Sequence, residues 1–163
     1  MTFFDYSEKI NPVQEFGICD NKDEKEKTAF VVYTDKDSWN AHVISEKRDD
    51  FNFIAVDNNI PYYDENGKEK KRCDAMVWTP ETVIFIELKD QDKDWFDRAV
   101  EQLKSTITHF DNVDGLDNFH FKKAYACNKT HPYFNYHFKT RIQQFYNETG
   151  VNLRPQVLID KVK

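Results

Sequence analysis

Residues 83–88, Val-Ile-Phe-Ile-Glu-Leu, constrain the fold more than any other stretch of the chain. A nearly continuous apolar run of this length reads as a strand buried on both faces, so other elements must cover it on each side. The segment before it, "RCDAMVW" at 72–78, reads as an adjacent strand, and 79–82 is short enough to make the two antiparallel. After it comes an amphipathic helix at about 93–112, with Trp95, Phe96, Ala99, Val100, Leu103, Ile107 and Phe110 on one broad stripe.

The remaining segments follow the same logic. "FNFIAVDNNIPYY" (51–63) reads as a strand, and Asn66-Gly67 in the loop after it predicts a hairpin, since a type I′ turn needs positive φ at both central residues. "DKDSWNAHVISEK" (35–47) has Trp39, Val43 and Glu46 at i, i+4, i+7, which predicts a helix capped by Asp35 or Asp37. "TAFVVYT" (28–34) and "HFKKAYACN" (120–128) are β-prone. A second helix is expected over 133–148 with Gly150 as its stop, and a closing strand over 151–160. Residues 1–28 are polar and charge-rich and read as a short N-terminal helix or arm followed by a solvated loop. The expected fold is α/β: one domain over 1–163 with a mixed sheet flanked by helices, a core at 35–128 and a helix-strand extension at 133–160.

Composition excludes several classes. With 39% hydrophobic and 15% aromatic residues in 163, the chain has material for one core of moderate size. No run approaches the roughly 20 apolar residues of a membrane span, and the N-terminus lacks the pattern of a secretory signal. Cys19, Cys73 and Cys127 are odd in number and widely spaced, which argues for buried thiols in a reducing, cytoplasmic setting rather than a disulfide scaffold. The five histidines lack zinc spacing, and no phosphate-cradling glycine loop or Ser/His/Asp elbow is present. The net charge of −6 gives no general affinity for phosphates, so a nucleic-acid role would rest on a local cationic surface or on metal ions.

One constellation does carry chemistry. Side chains alternate along a strand, so Glu87 and Lys89 point the same way, and the turn at 79–82 brings Asp74 opposite them. Two carboxylates at that spacing would bridge a divalent cation such as Mg²⁺, with Mn²⁺ as a substitute. Lys89 would orient a water or stabilise charge developing on phosphorus, and the carbonyl of Leu88 is a further ligand candidate.

Asp74, twelve intervening residues and Glu87-Leu88-Lys89 at the end of an apolar strand resemble the PD-(D/E)XK, or restriction-endonuclease-like, nucleases. The resemblance implies an αβββαβ core over 35–128, with Asp74 and Glu87 as metal ligands and Lys89 as the catalytic lysine. It adds Glu46, on the helix before the meander, as a metal ligand, and Gln102, on the helix after the lysine, as a residue facing the site. The proline of the motif is absent, since Cys73 precedes Asp74. Lys70, Lys71 and Arg72 lead into Asp74 and are candidates for phosphate contact. The activity implied is Mg²⁺-dependent hydrolysis of phosphodiester bonds, in DNA first, with no membrane partner. Specificity would then come from a homodimer partner, a larger complex or nucleic-acid structure.

Plainer readings stand beside these. Asp74 and Glu87 can be strand-end residues salt-bridged to Lys89, Glu46 a solvated helix end and Gln102 a surface amide. The aromatics across 133–146 read as core, with a base-stacking platform as the alternative. The rival function is a catalytically inactive nuclease-like fold acting as a binding or regulatory subunit, or as an inhibitor whose acidic surface mimics nucleic acid.

Overall fold

The computed structural model describes residues 2–20, 28–45, 47 and 50–160, and among them are ten strands and two α-helices, joined by loops and 3₁₀ turns. In order they are β1 (Glu8–Lys9), β2 (Glu15–Cys19), β3 (Phe30–Val32), β4 (Ala41–Ile44), β5 (Asn52–Ala55), β6 (Ala75–Trp78), β7 (Thr82–Lys89), α1 (Trp95–Val113), β8 (Phe121–Asn128), α2 (Lys139–Thr149), β9 (Asn152–Arg154) and β10 (Leu158–Ile159). They form a six-stranded sheet ordered β1-β5-β6-β7-β8-β9 and a four-stranded sheet ordered β10-β4-β2-β3. The α/β class with mixed sheets is as expected.

The six-stranded sheet follows from local signals. The backbones of Thr79 and Thr82 bond each other in both directions, closing the β6–β7 hairpin. β5, β6 and β7 then run as an antiparallel meander, and β8 lies parallel to β7 along its whole length. A parallel pair needs a crossover, and α1 supplies it. The helix buries Trp95, Phe96, Ala99, Val100, Leu103, Ile107 and Phe110 against one face of the sheet, the stripe read from its spacing, and Thr106 is buried with them. α2 packs on the same face through Phe145 and ends at Gly150, whose φ of +74° is left-handed.

The second face is where expectation fails. It is covered by the four-stranded sheet, not by a helix: Phe16, Ile18, Ala41, Val43 and Ile159 pack on Phe53, Ala75, Val77, Ile84, Ile86 and Leu88. The helix expected at 35–47 is a 3₁₀ turn, Lys36–Ser38, followed by β4. Trp39 explains the difference. Its ring lies over Gly17 of β2, where a Cβ would sit 2.2 Å from the ring, so the bare glycine makes the room. Its Nε1 donates to Thr34 O at 2.8 Å, and the chain continues with Ala41 and Val43 inward and His42 and Ile44 half-buried. Period two won over the i, i+4, i+7 coincidence once β2 was there to pair with.

Three smaller corrections share a cause in side chains. Residues expected as an N-terminal arm are built into the fold: Phe3 is fully buried edge-on to Phe110, and β2 is the second strand of the smaller sheet counted from its β3 edge. The Asn66-Gly67 turn is present, but only Gly67 has positive φ. The Asp64 carboxylate accepts the N–H groups of Asn66 and Lys68, both at 2.9 Å, and shapes the turn instead. The single strand expected at 151–160 is split around Pro155, so β9 joins the large sheet and β10 the small one. All three cysteines are free and buried, as expected.

Candidate functional site

The β6–β7 register, Ala75 with Ile86 through Trp78 with Val83, brings Asp74 opposite Glu87 one step further on. Val83 and Phe85 face α1, so Glu87 and Lys89 continue that face, joined by Asp74 two residues before Met76. The C-terminal ends of β5 and β7 and the start of β6 meet at this edge of the sheet. Sequence alone therefore located the two carboxylates and the lysine correctly in space.

Each is tightly held. The Asp74 N–H donates to Glu87 Oε1 at 3.1 Å, and the Leu88 N–H donates to Asp74 Oδ2 at 2.7 Å. Lys89 Nζ lies 3.1 Å from Glu87 Oε2 and donates to Gln102 Oε1 at 2.7 Å. Gln102 in turn donates from Nε2 to Arg72 O at 3.4 Å. It reaches the site because it sits three residues past Ala99 and four before Thr106, both buried against the sheet. Asp74, Glu87, Lys89 and Gln102 thus form one connected polar cluster under the first half of α1. The Glu87 side chain is only 2% exposed and that of Lys89 14%.

Burial governs the protonation of this cluster. Asp74 is pushed up to about 6, first by desolvation and then by the charge of Asp20, against the pull of the Leu88 N–H and a hydrogen bond with Glu87. Glu87 is pushed well above the usual carboxylate range by desolvation and by the charge of Asp74. The Lys89 ammonium opposes that shift, but burial and the neighbouring carboxylate outweigh it. The two carboxyls titrate as a coupled pair, and their burial together favours keeping a proton between them.

Two further carboxylates went unnoticed in the sequence. Asp57 follows β5 and lies 3.5 Å from Arg72 Nε; Asp20 follows β2 and acts on Asp74 through its charge. A signal for both existed. The apolar runs 16–19, 53–56 and 83–86 each end in an acidic residue, Asp20, Asp57 and Glu87.

The basic run behaves differently from expectation. Arg72 is buried, with NH1 donating to Ile60 O at 2.8 Å and the guanidinium facing Asp57 and Glu69, so it is an internal countercharge and not a phosphate contact. Lys71 pairs with Glu101 at 2.6 Å on the surface, and Lys70 is exposed. Glu46 lies outside the described residues. Leu88 enters the site through its N–H.

Among the described residues, no three His, Cys, Asp or Glu side chains gather in an arrangement that holds a metal ion. No described helix is long and apolar enough to cross a membrane. Set against protein-family models, curated proteins and solved structures, the chain matches none.

Proposed function

We propose that the chain is a metal-dependent nuclease of the PD-(D/E)XK kind, hydrolysing phosphodiester bonds with DNA as the first substrate to test. The observation that carries the reading is the convergence of Asp74, Glu87, Lys89 and Gln102 on one edge of the sheet. The run of meander, crossover helix and parallel strand from β5 to β8 supports the resemblance; the helix expected before it is replaced by β4.

The donor set suits a divalent cation. Asp74 and Glu87 would hold it, with the Leu88 carbonyl as a third candidate. Mg²⁺ takes one or two protein carboxylates and completes its shell with water and substrate phosphate, so a two-carboxylate site is sufficient. Burial raises the affinity of both carboxyls for protons, and a divalent cation between them would relieve their mutual repulsion. A cation held by these two residues would supply positive charge to the phosphate and would acidify a water.

The chain's own contribution is orientation. Gln102 takes one hydrogen of the Lys89 ammonium and Glu87 faces it from the other side, which fixes Nζ at the mouth of the cluster. From there Lys89 donates to an attacking water or to a phosphate oxygen as charge builds on it. Asp74 is held by the Leu88 N–H, so its second oxygen is presented in a fixed direction.

A cleavage time course on supercoiled plasmid, linear duplex, single-stranded DNA and RNA tests the proposal, run in Mg²⁺, Mn²⁺ and EDTA. Metal-dependent cutting that is lost in Glu87→Gln and Lys89→Ala supports it. Failure of the wild-type protein to cut anything, with no metal binding by calorimetry, overturns it. One observation favours the second reading, an inactive binding subunit: both carboxylates already accept backbone N–H groups within the chain. That outcome of the time course would select it.

A further inference from the structure

The loops that leave β7 and β8 at the candidate site build a recess of about 780 Å³. Residues 90–94 and 129–138 supply most of it. The two loops are pinned together beside Lys89: the Lys129 N–H donates to Lys89 O at 3.0 Å, and Thr130 Oγ1 donates to Asp90 at 2.9 Å. Asn128, fully buried, donates to Gln91 O at 2.7 Å and accepts from the Gln91 N–H at 3.3 Å. The recess is thus a fixed continuation of the sheet edge. Lys89 and Asp92 are three residues apart, within about 11 Å of chain.

Its chemistry is aromatic with a polar rim. Trp95 and Phe138 form the floor, packed edge to face at 5.7 Å, and Phe138 stacks on Phe96 at 3.9 Å. Tyr133 and Phe134 stand at the wall, where Phe134 carries the Arg154 guanidinium at 5.4 Å from its ring centre. Asp92 and His131 pair at 2.8 Å on the rim. Tyr133 is 85% exposed, so among the described side chains the expectation that the aromatics of 133–146 fill the core holds fully for Phe145 alone.

From this arrangement we infer that the recess binds an unpaired nucleobase of a single-stranded nucleic acid, stacked on Tyr133 and Phe134, while the neighbouring phosphate lies at Lys89. The inference rests on the nuclease reading for its second half only. Flat rings match a flat neutral base, and the Asp92–His131 pair offers acceptors to its N–H edge. Volumes of about 300–1,000 Å³ are those of small-ligand sites, and a stacked duplex has no base free to enter one. The carboxylates of Asp57, Asp74, Asp90 and Asp92 along this edge disfavour recognition by phosphate alone, which leaves the base as the group that selects.

The test uses single-stranded pentanucleotides with a central 2-aminopurine, one of DNA and one of RNA, titrated with protein in EDTA. Wild type is expected to quench the 2-aminopurine emission by stacking, and a fully paired duplex carrying the same base is expected not to respond. Tyr133→Ala should weaken binding between about 5- and 150-fold, as removal of one stacking partner does, and Tyr133→Trp should restore it. Because Tyr133 is so exposed, neither substitution threatens folding, which a thermal melt verifies. Whichever of the DNA and RNA strands binds more tightly identifies the sugar.

Binding without quenching, or equal binding by wild type and Tyr133→Ala, overturns the inference. So does the absence of binding to either strand. If plasmid cleavage in Mg²⁺ survives that failure, the nuclease reading stands alone. If quenching persists while neither cleavage nor metal binding is found, the base site stands and the nuclease reading falls.

Discussion

Strand β7 is buried on both sides, yet its two faces end differently. Toward the smaller sheet, Ile84, Ile86 and Leu88 are fully buried among apolar partners to the last residue. Toward α1, Val83 and Phe85 give way to Glu87 and Lys89. Glu87 is almost as deeply buried as Ile86, but the energetics differ. A buried ion pair is often less stabilising than apolar residues of the same volume, so the polar end of the helix-facing side is not explained by stability. The contrast separates the part of the sheet that holds the molecule together from the part that the proposal assigns to chemistry.

Neighbouring substitutions on opposite faces sharpen the contrast most. Glu87→Gln should reduce metal-dependent cleavage by at least about 10³-fold, since it removes a charge aimed at the reacting centre, while the fold survives. Ile86→Ala should do the reverse. It leaves a cavity between the sheets and should cost about 2–5 kcal/mol in urea unfolding, with cleavage per folded molecule unchanged. If Ile86→Ala abolished cleavage in fully folded protein, or Glu87→Gln retained it, the division between the faces would be broken.

The next effect concerns pH. The folded-state value of Asp74, about 6, lies above its ordinary 3.8, so the folded chain binds this proton more tightly than the unfolded one. Its contribution is therefore complete below about pH 4 and is lost as pH rises through 6. The gap converts to about 3 kcal/mol. Glu87, shifted in the same direction, adds to the trend. Asp74→Asn removes the share of the slope that belongs to Asp74: it should match wild type in urea unfolding near pH 4 and exceed it by up to about 3 kcal/mol at pH 7. Asparagine can still accept the Leu88 N–H, so no packing is lost. A variant less stable than wild type at pH 7 would show that the carboxylate is not held at a cost.

The same two faces differ in how far the sequence revealed them. The helix-facing side was legible because its signals are local: the tight turn at 79–82 sets the register, and the α1 stripe shows which side of the helix meets the sheet. Asp74, Glu87, Lys89 and Gln102 follow from that register and that helical phase. The other face depends on the pairing of strands only two to five residues long, drawn from opposite ends of the chain, as β10 with β4. Their lengths are below what periodicity resolves, and the helical coincidence of Trp39, Val43 and Glu46 masked one of them. The fit of Trp39 over Gly17 is a contact across 22 residues that no local pattern announces. Arg72 was misplaced for a related reason: a basic run looks solvated until Asp57 and Glu69 are brought around it.

The smallest test lies on the apolar face, at a polar group buried within it. Tyr125 is fully buried between the sheets, and its hydroxyl has no hydrogen-bond partner among the described residues. Burial pushes that hydroxyl up to about 12, so it stays protonated and acts only as an unsatisfied polar group. Leaving such a group unpaired costs about 1–3 kcal/mol, whereas a phenyl ring of the same shape loses only the oxygen. Tyr125→Phe should therefore raise stability by about 1 kcal/mol in urea unfolding, without changing cleavage. Because the hydroxyl belongs to the face assigned to packing, its removal should be felt by the melt alone. A loss of cleavage in a stabilised Tyr125→Phe protein would mean that the packing face also contributes to the chemistry.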